Sequence, residues 1–446
     1  MSGAVLLGLD VGTTAVKAAV LDQHLREVGH GRAPTPWRRV PTGAELSADE
    51  LLAAAIAAAR EALAAVGGRP VAGIGVASMA ETGVLLDGSG RPAVPSIAWH
   101  DSRGEAEAAR LAADLGDGFG ARVGLPPSSV CTLAKYRWMR DHWPEARRGE
   151  RWLNVAEWIV LGLGGDPAAE LSLASRTGFY DLHARRPWND ALAWADAPPG
   201  LMPDAVAAGT AMGRCDGGLE GARDAVLTVG GHDHLAAAVG AGAASEGDVL
   251  DSCGTAEAYV QASAPLAEDA VGNAVANGLN VGWHAVEGRQ AIVGAVSSGA
   301  AFEHTLALLG VRPEDRGPLE TAALEIELGG GPPRLSVTGL DQKSQSIAGI
   351  DRDASPAAAY HAALDAAGAA GAEIVARMAA IGGPARRVVV VGGWAAGDAA
   401  RAVKRRHLGE LSYLPATFTG AHGAALNAGR AAGALPPEHA AVGQGA

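Results

Sequence analysis

The stretch "VGGHDHLAAAVGAG", residues 229–242, sets one carboxylate between two imidazoles directly before an alanine-rich run of helical character. Asp233 there can cap a helix, bind a metal with its neighbours, or take a proton from a substrate. In the first turn of a helix an aspartate meets the positive end of the dipole, which keeps it ionised and ready to accept a hydrogen bond from a hydroxyl. The cap and base readings are therefore compatible. A metal held jointly by His232, Asp233 and His234 is not expected. In an extended chain both histidines project to one side and the aspartate to the other, and no HxxxH or CxxC partner lies nearby.

A second chemistry-bearing stretch is "DVGTTAVK", Asp10 to Lys17. A Gly/Thr turn gathers backbone N–H groups and two hydroxyls, Thr13 and Thr14, around a small volume suited to phosphate oxygens. Asp10 beside it can hold Mg²⁺, and Lys17 adds positive charge. The spacing fits neither the Walker loop nor the GxGxxG of a dinucleotide fold. "DSCGTAEAY" offers the same grammar through Gly254 and Thr255. In "VVVVGGWAAG", Gly392 and Gly393 follow a buried strand, where glycine permits close approach of a nucleoside to the backbone.

Strands and helices must position these groups. "AVLLGLDVGTTAVKAAVLD" reads as a hairpin, and "LSADELLAAAIAAAREALAAVG" as a long helix with Ser47 as N-cap, Glu50 completing a capping box, and an end at Gly67. "VAGIGVAS" is a buried strand, and residues 104–220 are richer in helix, Trp and Pro. "LDVGTTA" (Leu9 to Ala15) and "LDSCGTA" (Leu250 to Ala256) share a lead-in, a turn and a following β-prone run, the mark of a duplicated unit.

Bulk properties bound the function. With 446 residues, 48% hydrophobic and 19% charged, the chain has length and apolar content for two large domains. A net charge of −13 argues against nucleic-acid binding through a broad basic face. The N-terminal apolar run is interrupted by Asp10 and Lys17 and lacks a basic leader, so no membrane segment is expected. Three widely spaced cysteines form neither a zinc pattern nor a disulfide framework, and a cytoplasmic location is the expectation.

Six stretches in register carry a family resemblance: "LGLDVGTTAVKAAVLD", "VLLDGSGRPAVPSIAWHDSR", "ASRTGFYDL", "GGHDHLAAAVGAG", "DSCGTAEAYV" and "VVVVGGWAAGDAARAVKRR". Together, from about residue 4 to 432, they resemble the successive signatures of the FGGY carbohydrate kinases. The resemblance implies an α/β chain of two ribonuclease-H-like domains, of the actin, hexokinase and Hsp70 ATPase superfamily, around a deep cleft. The expected domains are 1–227, carrying the sugar site and the first phosphate hairpin, and 228–446, carrying the base, the second hairpin and the adenosine site. It implies ATP with Mg²⁺ and transfer of the γ-phosphate to a hydroxyl of a small sugar or polyol. Asp10 falls on the Mg²⁺-linked carboxylate, Thr13, Thr14, Gly254 and Thr255 on phosphate contacts, Gly392 and Gly393 on the adenosine site, and Asp233 on the catalytic base.

The substrate positions diverge. In "ASMAETGVLLD", Glu81 stands where xylulokinases have His, and Ala80 where they have Met. Of the glycerol kinases' Arg-Glu-Thr, only Glu81 and Thr82 are matched. His100 and Asp101 occupy the Asn-Asp of the pentulose kinases, and His234 follows the base where others use Asn or Gln. These five residues are the expected hydroxyl ligands. The "GER-P" signature of pentulose kinases is missing before "LGGGPPRLSVTGLDQKSQSIAGIDRDAS", which marks a trimmed C-terminal region. A ketose such as a pentulose is the first substrate expectation and a polyol such as glycerol or a tetritol the second. An actin-like or chaperone-like ATPase without sugar transfer is the competing class. The resemblance leaves room for a homodimer.

Overall fold

A computed structural model describes residues 3–116, 118–216, 218–254, 256–330, 335–340, 344–415 and 418–436. The chain divides into two units, one of Met1–Ala244, Ala264–Ala291 and Phe418–Ala446, the other of Ser245–Ser263 and Ile292–Thr417. The expected boundary at 227/228 therefore gives way to one after Ala244. The reason lies in strand pairing: the strand that leads to Asp233 joins the first unit's sheet, so the residues following it stay with that unit.

The first unit is built on β1 (Val5–Val11), β2 (Ala15–Leu21), β3 (Glu27–Pro34), α1 (Ala48–Ala64), β4 (Val71–Ser78), β5 (Val226–His232) and α2 (Asp233–Gly240). Its sheet runs β5-β4-β1-β2-β3, with antiparallel β1, β2 and β3 and parallel β1, β4 and β5. The central strands read as near-continuous apolar runs because both faces are covered, and Val5, Leu7, Leu9, Ile74 and Val76 are buried.

Helix α1 starts at Ser47, whose side chain accepts from Glu50 N. The reciprocal half of the expected capping box is not made, because Glu50 pairs with Arg38 at 2.5 Å. The helix Thr419–Ala431 packs onto β1 and β4 through small residues. A Cβ on Gly8 would lie 1.8 Å from Ala421 O, and one on Gly75 1.9 Å from Ala424 O, so the helix backbone rests directly on the sheet.

The second unit has β6 (Asp248–Cys253), β7 (Glu257–Ser263), β8 (Gln290–Val296, in this unit from Ile292), α3 (Pro356–Gly382), β9 (Arg387–Val391), α4 (Asp398–Leu408) and β10 (Leu411–Tyr413). Its strand order is β8-β7-β6-β9-β10, with β6/β7 antiparallel and β6, β9 and β10 parallel. Each unit therefore carries a hairpin extended by two parallel strands on the side of its first strand. The repeat read from "LDVGTTA" and "LDSCGTA" is a repeat of topology. Among the described residues, no helix is long and apolar enough to cross a membrane.

Candidate active site

In the first unit Asp10 lies near the end of β1, opposite Lys17 in β2 and beside Ala77 in β4. Strand β5 reaches the same end through an irregularity between Val229 and Gly231. Gly231 holds φ at +104°, and a Cβ there would meet Ala285 Cβ at 2.8 Å and Ser172 Oγ at 3.0 Å, so glycine alone fits this bend. The chain then turns into α2 with His232 as N-cap residue and Asp233 as the first helical residue. Asp233 is thus one position inside the cap expected for it, still within reach of the dipole. Its Oδ1 accepts from His234 N at 2.7 Å.

The change from strand to helix also overturns the expectation that the histidines and Asp233 diverge. His232 Nε2 lies 3.1 Å and His234 Nε2 4.0 Å from Asp233 Oδ1. The alternation argument holds for a continuing strand, and the strand ends at His232. The junction is anchored from outside: His232 N donates to Ser172 Oγ at 2.9 Å, and Ser172 Oγ donates to the buried Glu170 carboxylate at 2.6 Å.

The two aspartates titrate apart. Burial, then the negative charge of Asp233, raises Asp10 to about 6, against the opposing pull of Lys17 and His232. For Asp233 burial also opposes ionisation, but His234, His232 and the His234 N–H outweigh it and hold the carboxyl well below the usual range. The two neighbouring carboxyls are thus pushed in opposite directions, Asp233 toward its ionised form and Asp10 toward its neutral one.

Asp10 meets a test for Mg²⁺. Its Oδ1 is buried with no hydrogen-bond partner among the described residues. A Cβ on Gly420 would come within 2.6 Å of Oδ2, so the position opposite Asp10 has no space for a side chain. An oxygen without a donor is what a hard cation or its bound water takes up.

Around the turn, Trp99 Nε1 donates to Thr13 Oγ1 at 2.9 Å and Trp37 Nε1 to the Thr13 carbonyl at 2.6 Å, while Thr14 is exposed and Lys17 half-buried. Both tryptophans were unmarked by spacing. Glu81 is buried in a left-handed conformation, φ +61°, and its Oε1 accepts from Arg176 Nε at 2.7 Å. Strain at a non-glycine residue is held by such surroundings, and here Thr132 Oγ1 also donates to the Glu81 carbonyl. Thr82 Oγ1 beside it is buried and unpartnered among the described residues. Charges on Asp233, Glu81 and Arg176 all act on His234, whose own pKa burial lowers, so these four share one neighbourhood. Arg176 was missed as a site residue, although "ASRT" carried it.

His100 is exposed and edge-on to Trp99 and Trp37. Asp101 departs from its expected role. Its Oδ1 accepts from Arg103 N and Nε, each at 2.9 Å, and its Oδ2 from Arg103 Nη2 at 2.7 Å and Ala44 N at 3.0 Å. A buried carboxylate saturated in this way orders its own loop and has no oxygen to give a sugar.

In the second unit, Gly254 N donates to Ala256 O at 3.2 Å, as Gly12 N does to Ala15 O at 3.2 Å in the first hairpin. Thr255 lies outside the described residues. Gly392 has φ +106°, and a Cβ on it would stand 2.3 Å from Cys253 O, so the glycine turn after β9 abuts the second hairpin. Gly393 is exposed in open space.

Residues 5–240 match the N-terminal domain of the FGGY family of carbohydrate kinases. The chain belongs to this family. It is 32% identical over 263 residues to a glycerol kinase of Aromatoleum aromaticum, covering 56% of this chain and 53% of that one. It is 29% identical over 251 residues to a xylulose kinase of Streptomyces coelicolor, covering 54% and 50%. The chain spans about half the length of the curated relatives it matches.

Among solved FGGY-type structures, the xylulose kinase of Rhodospirillum rubrum superposes with a TM-score of 0.86 at 26% identity, covering 95% of this chain and 89% of that one. A Plasmodium falciparum glycerol kinase with ADP gives 0.85 at 16% identity over 97% and 90%, a likeness of fold alone. The FGGY kinases have the actin, hexokinase and Hsp70 ATPase fold, and the expected α/β class holds.

Proposed function

We propose that the chain is an ATP-dependent kinase that phosphorylates a hydroxyl of a small sugar or polyol, with Asp233 as the base. The observation that carries this is the placement of two carboxyls at one end of the first unit's sheet: Asp10, with a buried oxygen that has no partner among the described residues, and Asp233 at the start of α2, their strands flanking Ala77 of β4. A sugar hydroxyl is a poor nucleophile, but phosphoryl transfer runs through a loose transition state and asks for positioning, charge neutralisation and a late proton acceptor. A carboxylate as acidic as Asp233 first accepts a hydrogen bond from the hydroxyl, which orients an oxygen lone pair. It takes the proton only as the hydroxyl loses its basicity on bonding to phosphorus.

Asp10 would hold Mg²⁺, which supplies positive charge against the phosphate oxygens. Thr13 and Thr14 with the Gly12 turn, aided by Lys17, would contact phosphate. Gly254, Thr255, Gly392 and Gly393 keep their proposed nucleotide roles within the second unit. Glu81 Oε2, Thr82 Oγ1 and His234 are the proposed hydroxyl ligands, with Arg176 fixing the Glu81 carboxylate.

A ketose such as a pentulose remains the first substrate class. The polyol reading is favoured by Glu81 and Thr82, the pair shared with glycerol kinases. ADP release measured across ketoses, aldoses and polyols tests both, with turnover expected only when an acceptor is present. ATP consumption independent of every acceptor would replace the kinase with an actin-like ATPase. Asp233→Asn is expected to lower kcat by about 10³-fold or more while ATP still binds, because the proton acceptor is lost and the fold is not. Turnover close to the unaltered protein would remove Asp233 from the role.

A further inference from the structure

His232, Asp233 and His234 bring two imidazole nitrogens and a carboxylate oxygen within 4.8 Å of one another. The two rings stand edge to face with centroids 5.4 Å apart, and both Nε2 atoms approach the same oxygen, Asp233 Oδ1. Ligands at about 2.0–2.1 Å from a tetrahedral zinc lie roughly 3.3 Å from each other. The His232 contact, 3.1 Å, already has that separation. The His234 contact, 4.0 Å, needs a small side-chain rotation, and its side chain is 34% exposed.

Two imidazoles and one carboxylate form a donor set that suits zinc and its borderline neighbours, cobalt and nickel, and does not suit magnesium, which takes oxygen. Asp10 itself offers only carboxylate oxygen, one atom of it without a partner among the described residues. One other grouping of metal-ligating side chains occurs among the described residues, Asp251, Cys253 and Glu257. Lys404 Nζ already sits on its carboxylates, 2.7 Å from Asp251 Oδ2 and in contact with Glu257 Oε1.

From this geometry we infer that His232, Asp233 and His234 form a binding site for one zinc-class divalent cation, with water completing the coordination, and that the bound ion takes the carboxylate needed as the base. The second half of the inference rests on the kinase reading above; the first does not. Three ligands from one segment close no cage, and His232 Nδ1 has no partner among the described residues to orient the ring from behind. Outer-shell partners are worth about 10–100-fold in affinity, so the site is weaker than a structural zinc site. The positive end of α2 also opposes a cation, and the ionised Asp233 offsets it. The consequence is reversible inhibition by trace zinc.

The test uses the full chain, stripped with chelator and titrated with zinc chloride by calorimetry in excess Mg²⁺. One equivalent is expected, weakened about 10-fold or more in His234→Ala and abolished in His232→Gln/His234→Gln. Circular dichroism confirms folding, and if the double variant does not fold, the single variant His234→Ala, at a partly exposed position, decides the outcome. No binding by the unaltered chain, or undiminished binding by His234→Ala, overturns the site. In the ADP-release assay, zinc should compete with the acceptor and be relieved by chelator. Zinc binding without acceptor-dependent turnover would leave the site standing and remove the kinase reading. Turnover without zinc binding would do the reverse.

Discussion

The two hairpins have the same topology and share four of the seven residues of "LDVGTTA" and "LDSCGTA", yet their aspartates meet different partners. Asp10 keeps a buried oxygen without a partner and is raised to about 6, with Asp233 and Lys17 as its charged neighbours. Asp251, its counterpart in "LDSCGTA", is tied to Lys404 from α4, and the same ammonium reaches Glu257 on the other side of the turn. Tyr259 and Ser298 donate to Glu257, and Cys253 Sγ to Asp251, so the second carboxylate cluster is paired and hydrogen-bonded from within, although burial and the Glu257 charge still raise Asp251 to about 7. One copy of a duplicated element thus leaves its carboxylate free for a cation, and the other supplies the cation as a side chain. The scaffold is shared, and the charge placed against it decides which copy does chemistry.

The sharpest break in this comparison is Asp10→Asn. Its removal should cost about 10³–10⁴-fold in kcat, roughly 4–5.5 kcal/mol of barrier, with stability unchanged or raised because a buried unpartnered carboxyl is neutralised. Steady-state rates beside a urea melt give both numbers. Retention of a tenth of the turnover would mean that the free oxygen of Asp10 is not functional.

The mirror experiment is Lys404→Met, which should leave kinetics of any folded fraction interpretable but cost about 3–5 kcal/mol of stability, since two carboxylates stay buried without their cation. Adding Asp251→Asn and Glu257→Gln should recover much of the loss, because an apolar or neutral replacement of a whole buried cluster is often tolerated. A Lys404→Met protein within about 1 kcal/mol of the original by urea titration would show that the cluster is not a closed ionic unit.

These contrasts explain what the sequence disclosed. The repeat, the helix at residue 233 and the glycine turns were legible because they are local: turn residues and apolar periodicity mark them directly. Asp10 and Asp233 were legible as candidates through type and position. Lys404 was not, since in "ARAVKRRHLG" it looks like any basic residue of a solvated helix, and only the packing of α4 buries it. Asp101 was misjudged for the same reason. Its partner Arg103 is visible two residues on, but the Ala44 N–H that completes the shell comes from a segment 57 residues away. The histidine pair around Asp233 was misread because the side-chain direction depends on where a strand stops, a boundary that sequence places only to within a few residues.

Acid should act on the two units through different groups. His284, in the first unit, is buried and lowered from 6.5 to about 3, mainly by burial and then by Arg289. Its Nδ1 accepts from Val286 N at 3.1 Å, a bond only the neutral ring can make. The unfolded chain takes up a proton on this residue below about 6.5 and the folded one does not. The stabilising contribution is therefore complete above pH 6.5 and lost as pH falls toward 3, at about 1.4 kcal/mol per pH unit. Between pH 6.5 and pH 5 the loss is about 2 kcal/mol, and His284→Gln should flatten it. The Lys404 cluster responds the other way round: Lys404 is raised and Glu257 lowered, so both keep their charges, while burial and the Glu257 charge raise Asp251 to about 7, so the folded form takes up a proton there before the unfolded one does and is favoured as pH falls. Urea melts of the unaltered chain and of His284→Gln at pH 6.5 and pH 5 isolate this contribution from the first unit's own buried carboxyls, Asp10 raised to about 6 and Glu157 to about 7, which favour the folded form as pH falls. The same pH dependence in both proteins would mean that His284 is not held neutral in the folded chain.

The smallest effect bears on how each turn is held. The first hairpin's Thr13 receives two indole N–H bonds, from Trp99 to its hydroxyl and from Trp37 to its carbonyl. No tryptophan among the described residues donates into the second hairpin. Trp99→Phe removes one neutral hydrogen bond while keeping the ring, a loss of about 0.5–1.5 kcal/mol. The Thr13 hydroxyl keeps its capacity to donate but loses the contact that fixes its direction. If that direction serves phosphate, KM for ATP should rise by about 2–10-fold with kcat nearly unchanged, because uniform binding is what a positioning bond supplies. A stability loss of this size with KM unmoved would make Trp99 a packing residue, and the two turns would then differ only in the charge set against their aspartates.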